Sequence, residues 1–160
     1  MGEPISVGLG ESVVSRQAGD VLIAYGLGSC VAVGMYDPQE RICGLLHAVL
    51  PEKMSGSEIK TKFVDSGIEE LLNEMLRSGA DRRRLVVRIA GGANMITSPG
   101  FSKSFDIGNR NVAAARKTLE KFSLSLKGES VGGHTGRTVR FFVGEGRLTV
   151  KMIGGVEATL

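Results

Sequence analysis

Short apolar runs separated by glycine and polar turns dominate the beginning and the end of the chain. Runs of this length that are rich in β-branched residues and bounded by Gly, Pro or Asp are typical of β-strands. The pattern predicts about eight strands, the number of runs that meet these criteria. They span residues 5–9, 12–14, 20–25, 30–36, 41–50, 85–90, 138–143 and 147–153.

Two segments have apolar residues three or four positions apart, which is helical spacing. They run from about residue 61 to 77 and from about 108 to 122. Mostly antiparallel strands with two helices indicate an α+β fold, in which both helices cover a sheet face. We therefore expect a single domain over residues 1–160, with antiparallel sheets packed as a sandwich and two helices on the outside.

Composition excludes several classes of function. The net charge of +3 is small for 160 residues, and the densest basic run, residues 82–84, has no aromatic neighbours on which bases could stack. No nucleic-acid partner is therefore predicted. No apolar run approaches the ~20 residues of a membrane span, and the N-terminus does not resemble a signal peptide. With only two cysteines, we expect a cytoplasmic protein with reduced thiols and no membrane insertion.

The glycine-rich turn before Cys30 is the first candidate for chemistry. Gly28 and Ser29 precede this cysteine in the sequence Gly-Leu-Gly-Ser-Cys. Glycines let such a turn bend tightly, and its backbone N–H groups can point at a developing oxyanion. A thiol here could attack a carbonyl carbon if a base lies nearby. The alternative is an inert cysteine buried at the start of a strand.

His47 is the candidate base. It lies in an apolar strand that is joined to the Cys30 strand by a short turn at Pro38. Pairing Tyr36 with Arg41 around that turn would set Cys30 opposite His47, with Cβ atoms ~4.5–5.5 Å apart. The alternative is a core histidine with a satisfied hydrogen bond.

Other motifs do not indicate a cofactor or a metal. Cys43 shares the His47 face of its strand but follows no glycine turn, so we expect an inert thiol. The spacing of the cysteines and histidines does not match a zinc site, and Gly26 and Gly28 lack the third glycine of a dinucleotide fingerprint. Gly91 and Gly92 are predicted to form a turn that lets the backbone approach the site.

Together these motifs resemble the CheD family of chemoreceptor glutamine deamidases. The resemblance starts with Leu-Gly-Ser-Cys at 27–30 and His-Ala-Val-Leu-Pro at 47–51. It continues with the motifs at residues 89–95 and 107–111, with Gly132, Gly133 and Arg137, and with the final hairpin to Gly155. It therefore covers nearly the whole chain.

The resemblance implies a deamidase that hydrolyses the side-chain amides of receptor glutamines, with Cys30 as nucleophile and His47 as base. A lowered thiol pKa beside the imidazole is the usual activation. The resemblance also implies two partners, the chemoreceptor helices and, as in some bacteria, the phosphatase CheC. One position departs from the family, which usually has a threonine six residues before the cysteine, where this chain has Ala24. A backbone carbonyl could orient His47 instead, or activity could be reduced.

Two other functions use the same residues. A binding module without catalysis would regulate CheC or a receptor through the same groove, and Ala24 would then reflect lost activity. A cysteine peptidase or transglutaminase would use the same cysteine and histidine on another acyl group. Release of ammonia from receptor distinguishes the deamidase from the binding module, and amine acceptors would reveal a transglutaminase.

Overall fold

Two five-stranded sheets and two α-helices make up the described part of the chain. The structure is a computed structural model that describes residues 4–54, 56, 59–95 and 106–160. Two short 3-10 turns, Lys60–Lys62 and Arg82–Arg84, precede α1 and β6. The elements of the described ranges are β1 Pro4–Ser6, β2 Glu11–Ser15, β3 Val21–Leu27, β4 Val31–Asp37, β5 Ile42–Ala48, α1 Val64–Arg77, β6 Val86–Gly91, α2 Ile107–Lys121, β7 Leu126–Val131, β8 Arg137–Phe142, β9 Arg147–Met152 and β10 Glu157–Thr159.

The strands form two stacked sheets. Sheet A has the order β1-β3-β8-β9-β10, and sheet B has the order β2-β5-β4-β6-β7. Two of the neighbouring pairs, β1 with β3 and β6 with β7, are parallel, and the other pairs are antiparallel. The predicted α+β sandwich with two helices outside is confirmed.

The central strands of sheet B are buried on both faces. Every residue of β4 and β5 is buried, and alternate side chains belong to different cores. Val33 and Leu46 pack with the helices, whereas Ala32 and Leu45 face sheet A. Burying an aliphatic side chain of this size stabilises the fold by about 1.5–3 kcal/mol. β4 and β5 therefore separate the two cores and contribute side chains to both.

Two strands of the structure, β7 and β10, were not predicted from the apolar pattern. β7 (Leu-Lys-Gly-Glu-Ser-Val) has no fully buried residue, and all three residues of β10 are exposed. Both lie at sheet edges, where one side of the strand faces solvent. An edge strand needs little apolar surface, so its sequence does not show the pattern of a buried strand.

The carboxylate of Asp37 fixes the turn between β4 and β5. It accepts hydrogen bonds from the backbone N–H groups of Gln39 (3.0 Å), Glu40 (3.2 Å) and Asp81 (2.8 Å). The guanidinium of Arg84 donates two more, at 3.0 and 2.9 Å. Burial alone would raise the pKa of the Asp37 carboxyl, but Arg84 and the N–H groups outweigh it and hold the pKa at about 2. Part of the basic run therefore has a structural role.

We predict that Asp37→Asn lowers the free energy of unfolding by about 1.5–3 kcal/mol at pH 7, because an amide cannot accept all these hydrogen bonds. The folded-state pKa lies below the ordinary 3.8, so the native state binds fewer protons than the unfolded chain between those values. The stabilisation is complete above about pH 4 and is lost as the pH falls towards 2. The difference between wild type and variant should shrink over this range in urea unfolding experiments.

Glu40→Gln is the matched control, because Glu40 lies in the same turn with a half-exposed carboxylate. This variant should stay within about 0.5 kcal/mol of wild type. A difference between Asp37→Asn and wild type that does not change with pH would contradict the prediction.

Candidate active site

Cys30 lies in a tight turn between β3 and β4, where two other backbone segments meet it. The N–H of Ala93 donates to the carbonyl of Gly28, and the N–H of Gly92 donates to the carbonyl of Cys30, both at 2.8 Å. Gly91 has a φ of +111°, and a Cβ there would lie 2.2 Å from the Cys30 carbonyl oxygen. Only glycine fits this position. The end of β6 and Gly92 thus lie against Cys30. The close approach is as predicted, but Gly91 is the last paired residue of β6 and not part of a turn.

His47 is buried near the end of β5, and its ring is oriented by a backbone carbonyl. Its Nδ1 lies 2.9 Å from the carbonyl oxygen of Val7. Because a carbonyl can only accept, Nδ1 must carry the hydrogen, and Nε2 then carries the lone pair. Nε2 has no hydrogen-bond partner among the described residues. The imidazole is therefore fixed in the tautomer that can accept a proton at Nε2.

Three hydrogen bonds hold the segment that presents the Val7 carbonyl. The N–H of Val7 donates to Ile23 of sheet A, and the N–H of Gly10 donates to the carbonyl of His47, both at 2.8 Å. The carboxylate of Glu11 accepts from the N–H of Gly8 at 2.7 Å. The backbone that orients His47 is therefore connected to both sheets. A backbone carbonyl was one of the two possibilities raised by Ala24, and it is confirmed. The sequence could not single out Val7, because a backbone contact leaves no side-chain signal.

The electrostatics of His47 favour a neutral ring. Burial lowers the pKa of its imidazole, while the hydrogen bond to Val7 and the charge of Glu11 raise it by less. The net pKa lies below the ordinary value of 6.5. At neutral pH the ring is an uncharged base.

The strand register differs from the one predicted. His47 pairs with Ala32, and Tyr36 pairs with Cys43 rather than with Arg41. The connecting turn has the predicted four residues but begins one position later, at Pro38 rather than at Asp37. Asp37 stays in β4 and caps two N–H groups of the turn, and Arg41 adopts a φ of 54°. The expectation that Cys30 lies directly opposite His47 is therefore wrong.

A shift of two residues leaves every side chain on its original face. Cys30 and Ala32 belong to the cluster on the face that carries His47, although Cys30 comes one residue before Val31, the first residue of β4 that pairs with β5. Neither ring nitrogen hydrogen-bonds to the Cys30 sulfur in the described contacts. The catalytic pairing of the two residues stays a prediction.

The thiols are not activated at rest. Burial raises the pKa of Cys30, and its own backbone N–H lowers it only in part. The pKa of Cys43 is raised well above its ordinary value by burial, with a smaller opposing effect from Arg88. The expectation of a lowered Cys30 pKa is wrong, because burial outweighs the groups that would favour the thiolate. At neutral pH, Cys30 is a thiol beside an uncharged imidazole.

Asn111 of α2 contacts both segments that carry the candidate residues. Its side-chain Nδ2 donates to the carbonyls of Ser29 (2.8 Å) and Val49 (2.9 Å), and the residue is fully buried. Sequence reasoning missed this role. A signal was present, because Asn111 lies four residues before Ala115 on the apolar face of the helix, where a polar side chain is unusual.

Ala24 is fully buried in β3, opposite Val139 of β8. It belongs to the apolar cluster between the sheets that also contains Cys30. Its methyl group cannot orient His47. The Val7 carbonyl occupies Nδ1, the ring nitrogen that an orienting group would hold.

The described ranges show neither a cluster of metal ligands nor a membrane-spanning helix. In the described ranges, no three His, Cys, Asp or Glu side chains are grouped closely enough to hold a metal ion. Neither α1 nor α2 is long and apolar enough to cross a membrane.

The fold and the site define an α+β protein of two stacked sheets, with a cysteine and an oriented, neutral histidine on one face between them. A model of the family described as "CheD chemotactic sensory transduction" matches residues 49–152. Curated relatives match over nearly the whole chain at about 40% identity. The chain belongs to the CheD family.

Two relatives illustrate this similarity. The "Probable chemoreceptor glutamine deamidase CheD" of Caldanaerobacter subterraneus subsp. tengcongensis is 43% identical over 152 residues, which cover 94% of this chain and 93% of the relative. The "Chemoreceptor glutamine deamidase CheD" of Thermotoga maritima is 38% identical, over 94% of this chain and 93% of the relative. Among solved structures, the hypothetical protein YfiH of Bacillus licheniformis matches with a TM-score of 0.47 at 14% identity, covering 74% of this chain and 49% of that one. A likeness this distant carries no information about function.

We predict that iodoacetamide at neutral pH modifies Cys30 before Cys43, because Cys43 is completely buried whereas Cys30 is 9% exposed and on the His47 face. His47→Ala should slow the modification of Cys30, since no base would then accept the thiol proton. Peptide mass spectrometry over time measures both rates. Equal rates at the two cysteines, or a rate at Cys30 that His47→Ala leaves unchanged, would contradict the prediction.

Proposed function

We propose that this protein is a cytoplasmic deamidase that converts glutamine side chains of chemoreceptors to glutamate, with Cys30 as nucleophile and His47 as base. The observation that carries the proposal is the orientation of His47, whose Nε2 holds a free lone pair on the face shared with Cys30. Membership of the CheD family and the names of its relatives support the choice of substrate. Cys30 and Cys43 are both free thiols.

In the first half of the reaction, Nε2 of His47 accepts the thiol proton while the Cys30 sulfur attacks the glutamine Cδ. A bond forms between sulfur and carbon, and the amide oxygen becomes an oxyanion. His47 then gives its proton to the amide nitrogen, because ammonia can leave whereas an amide anion cannot. Breaking the carbon–nitrogen bond releases ammonia and leaves a thioester on Cys30.

In the second half, water replaces ammonia. His47 accepts a proton from the water as its oxygen attacks the thioester carbon. Collapse of this second tetrahedral intermediate breaks the carbon–sulfur bond, and the proton held by His47 returns to the Cys30 sulfur. The products are a glutamic acid side chain, which gives its proton to ammonia or solvent at neutral pH to become glutamate, and the enzyme in its starting protonation state. No redox step and no cofactor are required.

The turn before Cys30 is the proposed source of oxyanion stabilisation. The carbonyls of Gly28 and Ser29 are hydrogen-bonded to Ala93 and Asn111, which fixes the orientation of the intervening peptide planes. The N–H groups of Ser29 and Cys30 then become the donors available to the oxyanion. One such donor typically contributes roughly 10²–10³ in rate.

A binding module that regulates CheC or a receptor without catalysis is the second candidate function. Its support was the alanine at position 24. The Val7 carbonyl weakens that support, because His47 has an orienting partner without a threonine. We therefore favour the deamidase, and the assay below separates the two.

We predict that purified protein converts receptor glutamine to glutamate and that Cys30→Ala abolishes the conversion, because no other group can form the thioester. The measurement is ammonia release together with a gain of about one dalton per modified site in receptor peptides, the mass difference between an amide and an acid. Cys43→Ala is the matched control and should retain activity. Deamidation by Cys30→Ala would refute the nucleophile, and an inactive wild type would favour the binding module.

We also predict a broad pH profile for kcat/KM. Activity needs a neutral imidazole and a protonated thiol, or the equivalent ion pair. Burial lowers the pKa of His47 below 6.5 and raises that of Cys30 above 9.0. The acidic limb should therefore lie below pH 6.5 and the basic limb above pH 9. A fall of about tenfold between pH 7.5 and 6.5 would contradict this assignment.

A further inference from the structure

We propose that Asn111 is a positioning residue, whose side chain holds the Cys30 turn and the His47 strand in register for the reaction. The proposal rests on the proposed roles of Cys30 and His47. Asn111 is fully buried and contacts neither of these side chains in the described hydrogen bonds, so it acts through the backbone.

The two carbonyls that Asn111 binds lie where the sheet no longer connects the strands. Ser29 immediately precedes Cys30, and Val49 is the second residue after His47. The last register pair between β4 and β5 is Val31 with Ala48, so Ser29 and Val49 lie beyond the ladder. The two hydrogen bonds from Asn111, at 2.8 and 2.9 Å, replace the cross-strand bonds that end there.

The chemistry of the contact requires a primary amide. Both partners are carbonyl oxygens, which only accept, so the NH₂ group must face them and each of its two hydrogens has a partner. A hydroxyl would supply one hydrogen and an ionised carboxylate none. An apolar side chain of similar size would leave both strand ends without the connection.

The other atom of the amide argues against a purely stabilising role. Oδ1 of Asn111 is buried and has no hydrogen-bond partner among the described residues. An unpaired buried acceptor is costly, which offsets part of what the two donated hydrogen bonds contribute to stability. The amide is explained if it also fixes the relative position of the two strand ends.

The beginning of α2 packs against Gly92 and Ala93, which are themselves hydrogen-bonded to the Cys30 turn. A Cβ on Gly108 would lie 2.4 Å from the carbonyl oxygen of Ala93 and 2.6 Å from that of Gly92. The backbone of α2 at Gly108 is therefore in direct contact with the backbone of Gly92 and Ala93. Asn111 lies about one helical turn after Gly108, so it is held at a fixed distance from the Cys30 turn. Through its second hydrogen bond, the amide also fixes the position of the end of β5 relative to that turn.

The test compares Asn111→Leu with Thr118→Val in the full-length protein. Thr118 is also buried on α2, but its hydroxyl donates within the helix, to the carbonyl of Ala114. Thr118→Val therefore removes a buried hydrogen bond from the same helix without touching either strand end. Each variant is assayed for kcat and KM on receptor peptide, for thermal unfolding, and for the rate of Cys30 alkylation by iodoacetamide at pH 7.

We expect Asn111→Leu to lower kcat between about 10-fold and 100-fold with KM nearly unchanged, since displacing reacting groups by about 1 Å can cost this much. Alkylation of Cys30 should slow towards the rate of His47→Ala. Thr118→Val should keep both rates within about twofold of wild type. Asn111→Ser, which retains one donor, should lie between Asn111→Leu and wild type.

The proposal is overturned if Asn111→Leu keeps wild-type kcat and wild-type alkylation, or if its losses equal those of Thr118→Val. If Asn111→Leu does not fold, the same comparison is made with Asn111→Ser, and losses no larger than those of the control overturn it. Alkylation needs no receptor. An effect on Cys30 reactivity in a protein that deamidates no peptide would therefore refute the proposed function while upholding the positioning role.

Discussion

The antiparallel pairing of β4 with β5 at the centre of sheet B is the interaction on which both cores and the candidate site depend. Alternate side chains of these strands face α1 and α2 on one side and sheet A on the other. A slip of one residue would exchange these two sets and turn His47 towards the helices. Apolar packing on both faces therefore forbids odd shifts, and the same constraint keeps Cys30 and His47 on one face.

Because a backbone carbonyl orients His47, the lack of a threonine at Ala24 does not leave the histidine without an orienting group. A side-chain orienter can be lost by a single substitution, whereas the carbonyl of Val7 is present whatever residue occupies that position. What matters is the path of the chain, which depends on the parallel pairing of β1 with β3 and on the Glu11 carboxylate that caps Gly8. In this protein the fold itself fixes the tautomer.

The amphipathic and buried elements could be predicted from the sequence because burial imposes a period on it. The predicted helix near residues 108–122 differs from α2 by one residue at each end, and the strand at 147–153 extends β9 by one. The edge strands β7 and β10 could not be found in this way, because they bury little. Periodicity says which face a residue takes but not where a turn begins, and starting the turn one residue too early put the predicted register around Pro38 off by two.

The candidate site likewise contains residues that local sequence identifies and others that only the packed structure reveals. Local sequence singled out Cys30, His47 and the approach of Gly91, because a glycine turn and a histidine between apolar residues can be recognised in the sequence itself. The roles of Asn111 and Val7 depend on contacts across 82 and 40 residues, which no local pattern contains. The direction of the Cys30 pKa was mispredicted for a related reason. A motif suggests neighbours that favour the thiolate, but burial opposes any charge and is known only from the packed structure.

Burial also determines when charge would appear in the proposed reaction. It raises the pKa of the thiol and lowers that of the imidazole, so both shifts oppose a resting thiolate–imidazolium pair. The ion pair must then form as the substrate arrives and its oxyanion meets the N–H groups of the turn. Interactions that exist only in the transition state are the ones that accelerate a reaction. A resting thiol is also less prone to oxidation and alkylation than a thiolate. A buried pair that is neutral at rest and ionises as a glutamine docks therefore reconciles low resting reactivity with catalysis, provided that the two strand ends are held in place.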